Sequence, residues 1–414
     1  MGLLLAIVLI VRKVSPTYSL MLGAFIGGIL GGFSLSETVI LMIDGVKDVT
    51  PAIVRILTAG VLSGVLIKTG AAASISHTIV RKVGTRHFYL ALALATMLLT
   101  TTGVFIDVAV ITVAPIALTI GRQLLIPKAK LLFVMVGGGK CGNIISPNPN
   151  TIISAENFNA DLSSVMFVNI IPAIIGLLVT AYIIVHLLPK MGEMVKDDLN
   201  EDESSDNLPS FAKSMVAPVV TIGLLALRPL FGIVIDPLLA LPAGGLAGIV
   251  VMRKWDKLSV SIKYGLEKMS TIAILLVGTG TIAGIVKAST LKDYLLQALA
   301  HTNLGEVLIA PFSGALMSAA TASTTAGATV ASASFAETIT AAGISAVWGA
   351  ALINVGATVL DHLPHGSFFH ATGGATYMQM SERMKIIPYE TLIGLVLTIC
   401  SVAVYFILGK WLGL

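Results

Sequence analysis

Two stretches of this sequence place polar and ionisable side chains inside apolar runs. The first is Gly137-Gly138-Gly139-Lys140-Cys141-Gly142-Asn143-Ile144-Ile145-Ser146-Pro147-Asn148-Pro149-Asn150-Thr151, and the second is Asp361-His362-Leu363-Pro364-His365-Gly366-Ser367-Phe368-Phe369-His370. Glycine and proline interrupt a helix, and an interrupted helix exposes amides and carbonyls, of which the N-terminal amides attract anions. Asn143, Ser146, Asn148, Asn150 and Thr151 add side-chain donors and acceptors at the first break, as His365, Gly366 and Ser367 do at the second. These are candidate substrate ligands. Turn chemistry at a helix end is the ordinary alternative for the first break.

Asp361, His362 and His365 concentrate ionisable groups at the second break. A charge near the centre of a bilayer costs roughly 2.5–3.5 kcal/mol on insertion scales, so such groups are paired, water-facing or functional. Histidine ordinarily titrates near pH 6.5, which suits proton coupling. A local pair between Asp361 and one histidine is the plainer reading. Asp107 and Lys140 are two further candidates for coupling, with their mutual ion pair as the alternative. Hydroxyls at Thr100, Thr101 and Thr102, next to Gly103, and at Ser323, Thr324 and Thr325 could hold a substrate, although Ser and Thr also bond between membrane helices. The Gly137 run lacks the G-K-[ST] ending of a phosphate loop, and no H-E-x-x-H metalloprotease motif is present. No cofactor or metal is implied, only a transported proton or sodium ion.

Composition places these breaks in a membrane. The chain has 414 residues, 56% apolar and 12% charged, where a soluble domain carries roughly 25% charged residues. This excludes a water-soluble enzyme and supplies about ten spans of roughly 20 residues. The formal net charge of +4 comes from basic residues set between apolar runs, so no nucleic-acid partner follows. Cys141 and Cys400 form no C-x-x-C pair, which removes zinc fingers and structural disulfides. Met1 to Ile10 precede Arg12 and Lys13, the reverse of a signal peptide's order, and are read as a short first span.

Apolar stretches near 2–11, 18–33, 51–68, 88–120, 131–157, 164–188, 214–231, 233–252, 269–287, 304–339, 343–360 and 388–409 predict an all-α integral membrane protein, a polytopic helical bundle. Helices satisfy their own backbone in lipid, and the alternation of a barrel is absent. An acidic linker at 190–212 separates an N-terminal half, 1–189, from a C-terminal half, 213–414. The halves resemble each other: Thr58 to Gly64 matches Gly278 to Gly284, Thr101-Thr102-Gly103 matches Thr324-Thr325-Ala326-Gly327, and Ser146 to Thr151 stands where Asp361 to Gly366 stands, at similar offsets of 215 to 223 residues. The expected repeats cover about 51–157 and about 269–380.

Segments 88–120 and 304–339 suit re-entrant hairpins, which are tolerated where they line a cavity. Residues 71–86 and 289–303, mixed in character, suit helices lying in the interface. Arg81, Lys82, Arg86, Arg122, Lys128 and Lys130 flank the first hairpin without an acid, so its mouth is expected in the cytoplasm. Lys292, Asp293, Glu306 and Glu337 flank the second, whose mouth then faces outward. Tracing the spans puts Arg12, Lys13, the linker, the cluster Arg253, Lys254, Lys257, Lys263 and Lys268, and Arg383 with Lys385 in the cytoplasm, and both termini outside. The repeats are therefore expected to be inverted, the build of secondary transporters with a midplane site.

At Gly142 to Thr151 and Asp361 to Gly366 the chain resembles the gluconate permease family of the ion transporter superfamily, over most of residues 18–409. The resemblance implies symport of a small organic acid such as gluconate, usually with protons, in the inner membrane, by a homodimer with an elevator-like moving domain. In the gluconate permeases a histidine is expected in the first P-x-P region, where this chain has Asn148, so a related hydroxy acid, an amino acid or a citrate-like anion stays open. The leading expectation is a secondary carrier for a small organic anion. Its rivals are a cation/proton antiporter using Asp107 and Asp361, and an intramembrane hydrolase using Asp361 and its histidines.

Overall fold

A computed structural model describes residues 1–12, 14–188, 208–289, 305–364 and 366–409. Among them every regular element is helical. Two helices open the chain, α1 (Gly2–Val11) and α2 (Pro16–Leu30), and lead to α3 (Leu35–Lys68) and α4 (Ala71–Val83). Helices α5 (Phe88–Thr101) and α6 (Ile106–Gln123) follow, then α7 (Lys128–Asn143), α8 (Pro149–Asn157), α9 (Leu162–Val168) and α10 (Ile170–Leu187). The C-terminal half holds α11 (Val216–Phe231), α12 (Pro237–Met252) and α13 (Leu258–Ala288), then α14 (Gly305–Thr321), α15 (Thr324–Ala341) and α16 (Ala346–Gly356), and finally α17 (Ser367–Ala375), α18 (Met380–Met384) and α19 (Ile387–Leu408). Among the described residues six helices are long and apolar enough to cross a membrane, or seven when the bent pair α4 and α5 counts as one span.

Local chemistry places many of the helix starts. Ser34 and Glu37 form a capping box at α3, Asn148 and Pro149 open α8, and Asp161, Asp236, Ser323 and Ser345 cap α9, α12, α15 and α16. Each cap oxygen accepts from an otherwise orphaned amide.

The central pair is α3 with α13, of 34 and 31 residues. At 1.5 Å per residue each is roughly 45–50 Å long, more than the roughly 30 Å hydrocarbon core. The apolar stretches 51–68 and 269–287 therefore marked only the C-terminal parts of these helices, because charged residues such as Asp44, Asp48, Lys263 and Lys268 interrupt hydropathy in the rest. Glycine sets the contact between them. A Cβ on Gly265 would lie 2.1 Å from the Gly60 carbonyl oxygen, one on Gly64 2.0 Å from that of Ser261, one on Gly45 2.1 Å from that of Gly280, and one on Gly284 2.0 Å from that of Leu41. Residue numbers on α3 rise as those on α13 fall, so the two helices run antiparallel.

Each of these long helices precedes the same order of elements. Helices α5 and α6 join through Thr102–Phe105, with Gly103 at φ +93°, and α14 and α15 join through Ala322 and Ser323. After each pair comes a broken helix: α7 stops at Asn143 before α8, and α16 stops at Gly356 before α17. Helix α4, expected in the interface, turns by 101° into the segment Thr85–Thr101. Its expected counterpart at 289–303 falls almost wholly outside the described residues, as do Lys13, most of the acidic linker and His365.

Candidate functional site

The glycines of the first break bring helices together. A Cβ on Gly138 would lie 2.1 Å from the Ala93 carbonyl oxygen and one on Gly142 2.2 Å from that of Met97, so α5 approaches α7 backbone to backbone. Thr100 Oγ1 donates to Gly139 O at 3.0 Å across this contact. Thr101 and Thr102 donate to their own helix, at Met97 O and Leu99 O.

The amides beyond α7 form a buried network. Asn148 Oδ1 accepts from Thr151 N at 3.1 Å and Thr151 Oγ1 at 3.0 Å, while Asn148 Nδ2 donates to Asn143 O at 2.9 Å and to Asn143 Oδ1. Asn150 Nδ2 donates to Asn354 Oδ1 at 2.6 Å, and Asn354 Nδ2 donates to Thr151 Oγ1 at 3.0 Å. This ties the first break to α16. Asn143 Nδ2 and Ser146 Oγ are buried without a hydrogen-bond partner, a state that normally costs about 1–3 kcal/mol per group.

At the second break the two halves of the chain meet through charge. Lys140 Nζ lies 2.7 Å from Asp361 Oδ1, both side chains being buried. It also donates to Thr358 O at 2.5 Å and Glu390 O at 3.2 Å, and lies 3.0 Å from His362 Nδ1. His362 Nδ1 is 3.1 Å from Asp361 Oδ1, and Nε2 is 3.1 Å from both Ile387 O and Thr391 Oγ1. Thr324 Oγ1 donates to Asp361 Oδ2 at 2.5 Å. The pairing of Lys140 with Asp107, open from the sequence, is not formed; Asp361, 221 residues away, takes it. Behind this cluster Arg383 Nη2 donates to Glu390 Oε2 at 3.0 Å, with both residues buried. Arg383, read from the sequence as a solvated orientation signal, is therefore an interior residue, packed also on the Phe369 ring at 4.6 Å.

A cavity of about 460 Å³ lies where the hairpin tips and breaks converge, within the usual 300–1,000 Å³ of small-ligand pockets. Of the candidate residues, Asp107, Asn143, Ser323, Thr324, Thr325, Asp361 and Ser367 line it. Thr101, Thr102, Gly103, Ser146, Asn148, Asn150, Thr151, Gly366, Lys140 and His362 are not among its lining residues; Lys140 and His362 stand directly behind Asp361. Sequence reasoning missed Thr17, Phe105, Lys268, Thr271 and Phe368. Lys268 belongs to a run of cations that hydropathy assigns to an aqueous loop.

Three helices begin at this cavity: α6, α15 and α17. The start of α6 is served by Asp107, whose Oδ1 accepts from Val108 N at 2.9 Å, and that of α15 by Ser323. The start of α17 has no side-chain cap. Unfilled amides at a helix N-terminus carry a partial positive charge and bind anions. With Asn143 and Lys268 lining the same cavity, the arrangement is equipped to accept a carboxylate.

A second cavity of about 510 Å³ separates α3 and α13 from α8 and α15, and neither break lines it. Ion pairs cross there and nearby: Lys287 with Asp48 and Glu337, Arg55 with Asp236 and Glu156, and Arg228 with Asp161. Asp236, in the loop before α12, is held below the usual carboxylate range by its hydrogen bonds from the Arg55 guanidinium. Among the described residues no three His, Cys, Asp or Glu side chains form a group able to hold a metal ion.

The model of the GntP family permeases matches residues 1–409. The chain belongs to this family. Over 404 residues, 98% of this chain and 96% of the relative, the permease is 53% identical to an uncharacterized transporter of Haemophilus influenzae. It is 24% identical to a high-affinity gluconate transporter of Escherichia coli over 212 residues, 50% of this chain and 47% of that one. Its fold is similar to that of the Alcanivorax borkumensis YdaH transporter (TM-score 0.62, 15% identity, 90% and 87% of the two chains) and of Neisseria gonorrhoeae MtrF (TM-score 0.60, 16% identity, 89% and 85%). The permease is a multi-pass membrane transporter and not an enzyme, so the hydrolase reading of Asp361 and its histidines falls away.

Proposed function

We propose that this permease is a secondary carrier for a small organic anion, moved together with protons. The observation that carries the reading is the cavity at the hairpin tips, which the open N-terminus of α17 and Asn143 line together. Ser323, Thr324, Thr325 and Ser367 supply hydroxyls suited to a hydroxy acid, and the gluconate transporter among the relatives agrees with that class.

Asp107, Lys140, Asp361 and His362 form the coupling set. Ile387 O only accepts, so His362 Nε2 carries a hydrogen. With Nδ1 unprotonated, the imidazole accepts from Lys140; with Nδ1 protonated, it donates to Asp361. One proton therefore switches His362 between two partners and adds positive charge behind the anion's cavity. That favours the anion. An antiporter would need Asp361 open to a cation, whereas Lys140 and Thr324 occupy its oxygens.

The antiparallel glycine contacts support inverted repeats. Exchanging the halves at the 220-residue offset turns the Gly60–Gly265 contact into Gly280–Gly45, and the Gly64–Ser261 contact into Gly284–Leu41. The hairpins are then re-entrant and open to opposite sides, with α3 and α13 as the frame past which tips and breaks move. Residence in the inner membrane, both ends outside and a homodimeric assembly complete the reading. The test is thermal unfolding of the purified protein against hydroxy acids, amino acids, citrate-like anions and sodium. One anion class should raise the midpoint in wild type and not in Asn143→Ala; stabilisation by sodium alone would favour the antiporter.

A further inference from the structure

The reading above leaves open why Lys140 is buried where it is, and the geometry of its ammonium group answers a question about the coupling ion. Nζ is surrounded by Thr358 O at 2.5 Å, Asp361 Oδ1 at 2.7 Å, His362 Nδ1 at 3.0 Å and Glu390 O at 3.2 Å. These are two backbone carbonyls, a carboxylate and an imidazole converging on one point without exposure to solvent. Lysine stands in the last turn of α7, and Thr358 lies just past the end of α16. The broken helix α16 therefore turns its C-terminal, partially negative end toward this point, and Glu390 O reaches it from the first turn of α19. Carbonyls of unwound segments and half-helix C-termini are the groups with which carriers coordinate a coupling cation. Here a covalently attached cation already fills the centre.

We infer that Lys140 is a tethered substitute for a coupling metal cation, so that this carrier takes protons, through His362, and no sodium. The inference rests on the reading of the chain as an ion-coupled anion carrier. The ammonium has three donors for four neighbours, Thr358 O, Asp361 Oδ1, Glu390 O and His362 Nδ1, so not all four are bonded at once. His362 Nδ1 is the fourth neighbour and the one free to change partner. The ammonium of Lys140 lies against Asp361, and His362 Nδ1 is within reach of both. The carbonyls would remain after removal of the lysine side chain, and the site would then accept a small free cation.

The experiment uses the full-length protein in proteoliposomes, with anion uptake driven by a pH gradient in sodium or choline media. Wild type should give equal rates in both media. Lys140→Ala should lose at least tenfold in choline and recover with sodium or with n-propylammonium, which restores the missing ammonium. Stimulation of wild type several-fold by sodium would overturn the inference, as would a Lys140→Ala protein that transports normally without an added cation, or one that folds and responds to none. Should Lys140→Ala not fold, the sodium response of wild type decides alone. Failure of the carrier reading itself looks different: wild type would then take up no organic anion under any gradient.

Discussion

Thr324, at the tip of the second hairpin, donates a hydrogen bond of 2.5 Å to Asp361 in the second break. Through it the cavity surface reaches the buried cluster of Asp361, Lys140 and His362 in a single step. Thr324→Ala would leave Asp361 Oδ2 without its donor and present its negative charge to an incoming anion. A hydrogen bond to a charged group is worth about 1.5–3 kcal/mol, so anion affinity should fall by about ten- to a hundredfold in titration calorimetry. Thr324→Ser should retain it. Equal affinities for all three proteins would place the anion elsewhere.

Asn143 and Asn150 should respond differently to the same substitution. Asn143 lines the cavity, and the Asn148 amide that bonds its Oδ1 keeps the Asn143 backbone carbonyl as acceptor, so Asn143→Ala should weaken anion binding and lower the thermal midpoint less than Asn150→Ala. Asn150 Nδ2 is bonded to Asn354, and its removal leaves a buried acceptor unmade, at a cost of about 1–3 kcal/mol. Asn150→Ala should therefore lower the midpoint first. Unfolding curves with and without ligand separate the two effects.

Much of this arrangement was legible in the sequence, and the parts that were not have physical reasons. Glycine and proline in the first run marked the break between α7 and α8, and polar residues inside apolar runs marked Asn143, Thr324 and Asp361. The lengths of α3 and α13 were hidden because their charged halves look like loops, although several of those charges make cross-links such as Lys287 with Asp48 and Glu337. Lys268 and Arg383 were hidden for the same reason, since a cation near a span end reads as an orientation signal whether it faces a cavity, a buried glutamate or water. The amides of Asn148 and Asn150 bond within the break and to Asn354, partners that spacing alone does not reveal. The partner of Lys140 could not be read at all, because the contact joins residues 221 positions apart.

The frame is open to a packing test. A Cβ on Gly60 would stand 2.7 Å from Gly265 O, whereas one on Gly223 meets nothing within 4 Å. Gly60→Val should reduce the yield of folded protein, since overpacking costs about 1–3 kcal/mol or more, and Gly223→Ala should not. Size-exclusion profiles of the detergent-solubilised proteins report both.

Topology is testable with single cysteines in a background lacking Cys400. Thr85, Leu125 and Ala341 are exposed, whereas Ala129, a natural choice from sequence, is buried. Cysteines at Thr85 and Leu125 should label only from the cytoplasm and one at Ala341 only from outside. Labelling of all three from one side contradicts the inverted arrangement.

The most direct test of proton-coupled anion transport is Asp361→Asn in proteoliposomes, measured in two modes on one preparation. Accumulation driven by an inward pH gradient requires the His362 switch toward Asp361, while exchange of labelled for unlabelled anion at equal concentrations and pH requires only binding and movement. The variant should exchange the anion and fail to accumulate it, beside a wild type that does both. Accumulation by Asp361→Asn at the wild-type level, or wild-type uptake that follows sodium and ignores the pH gradient, would contradict the account.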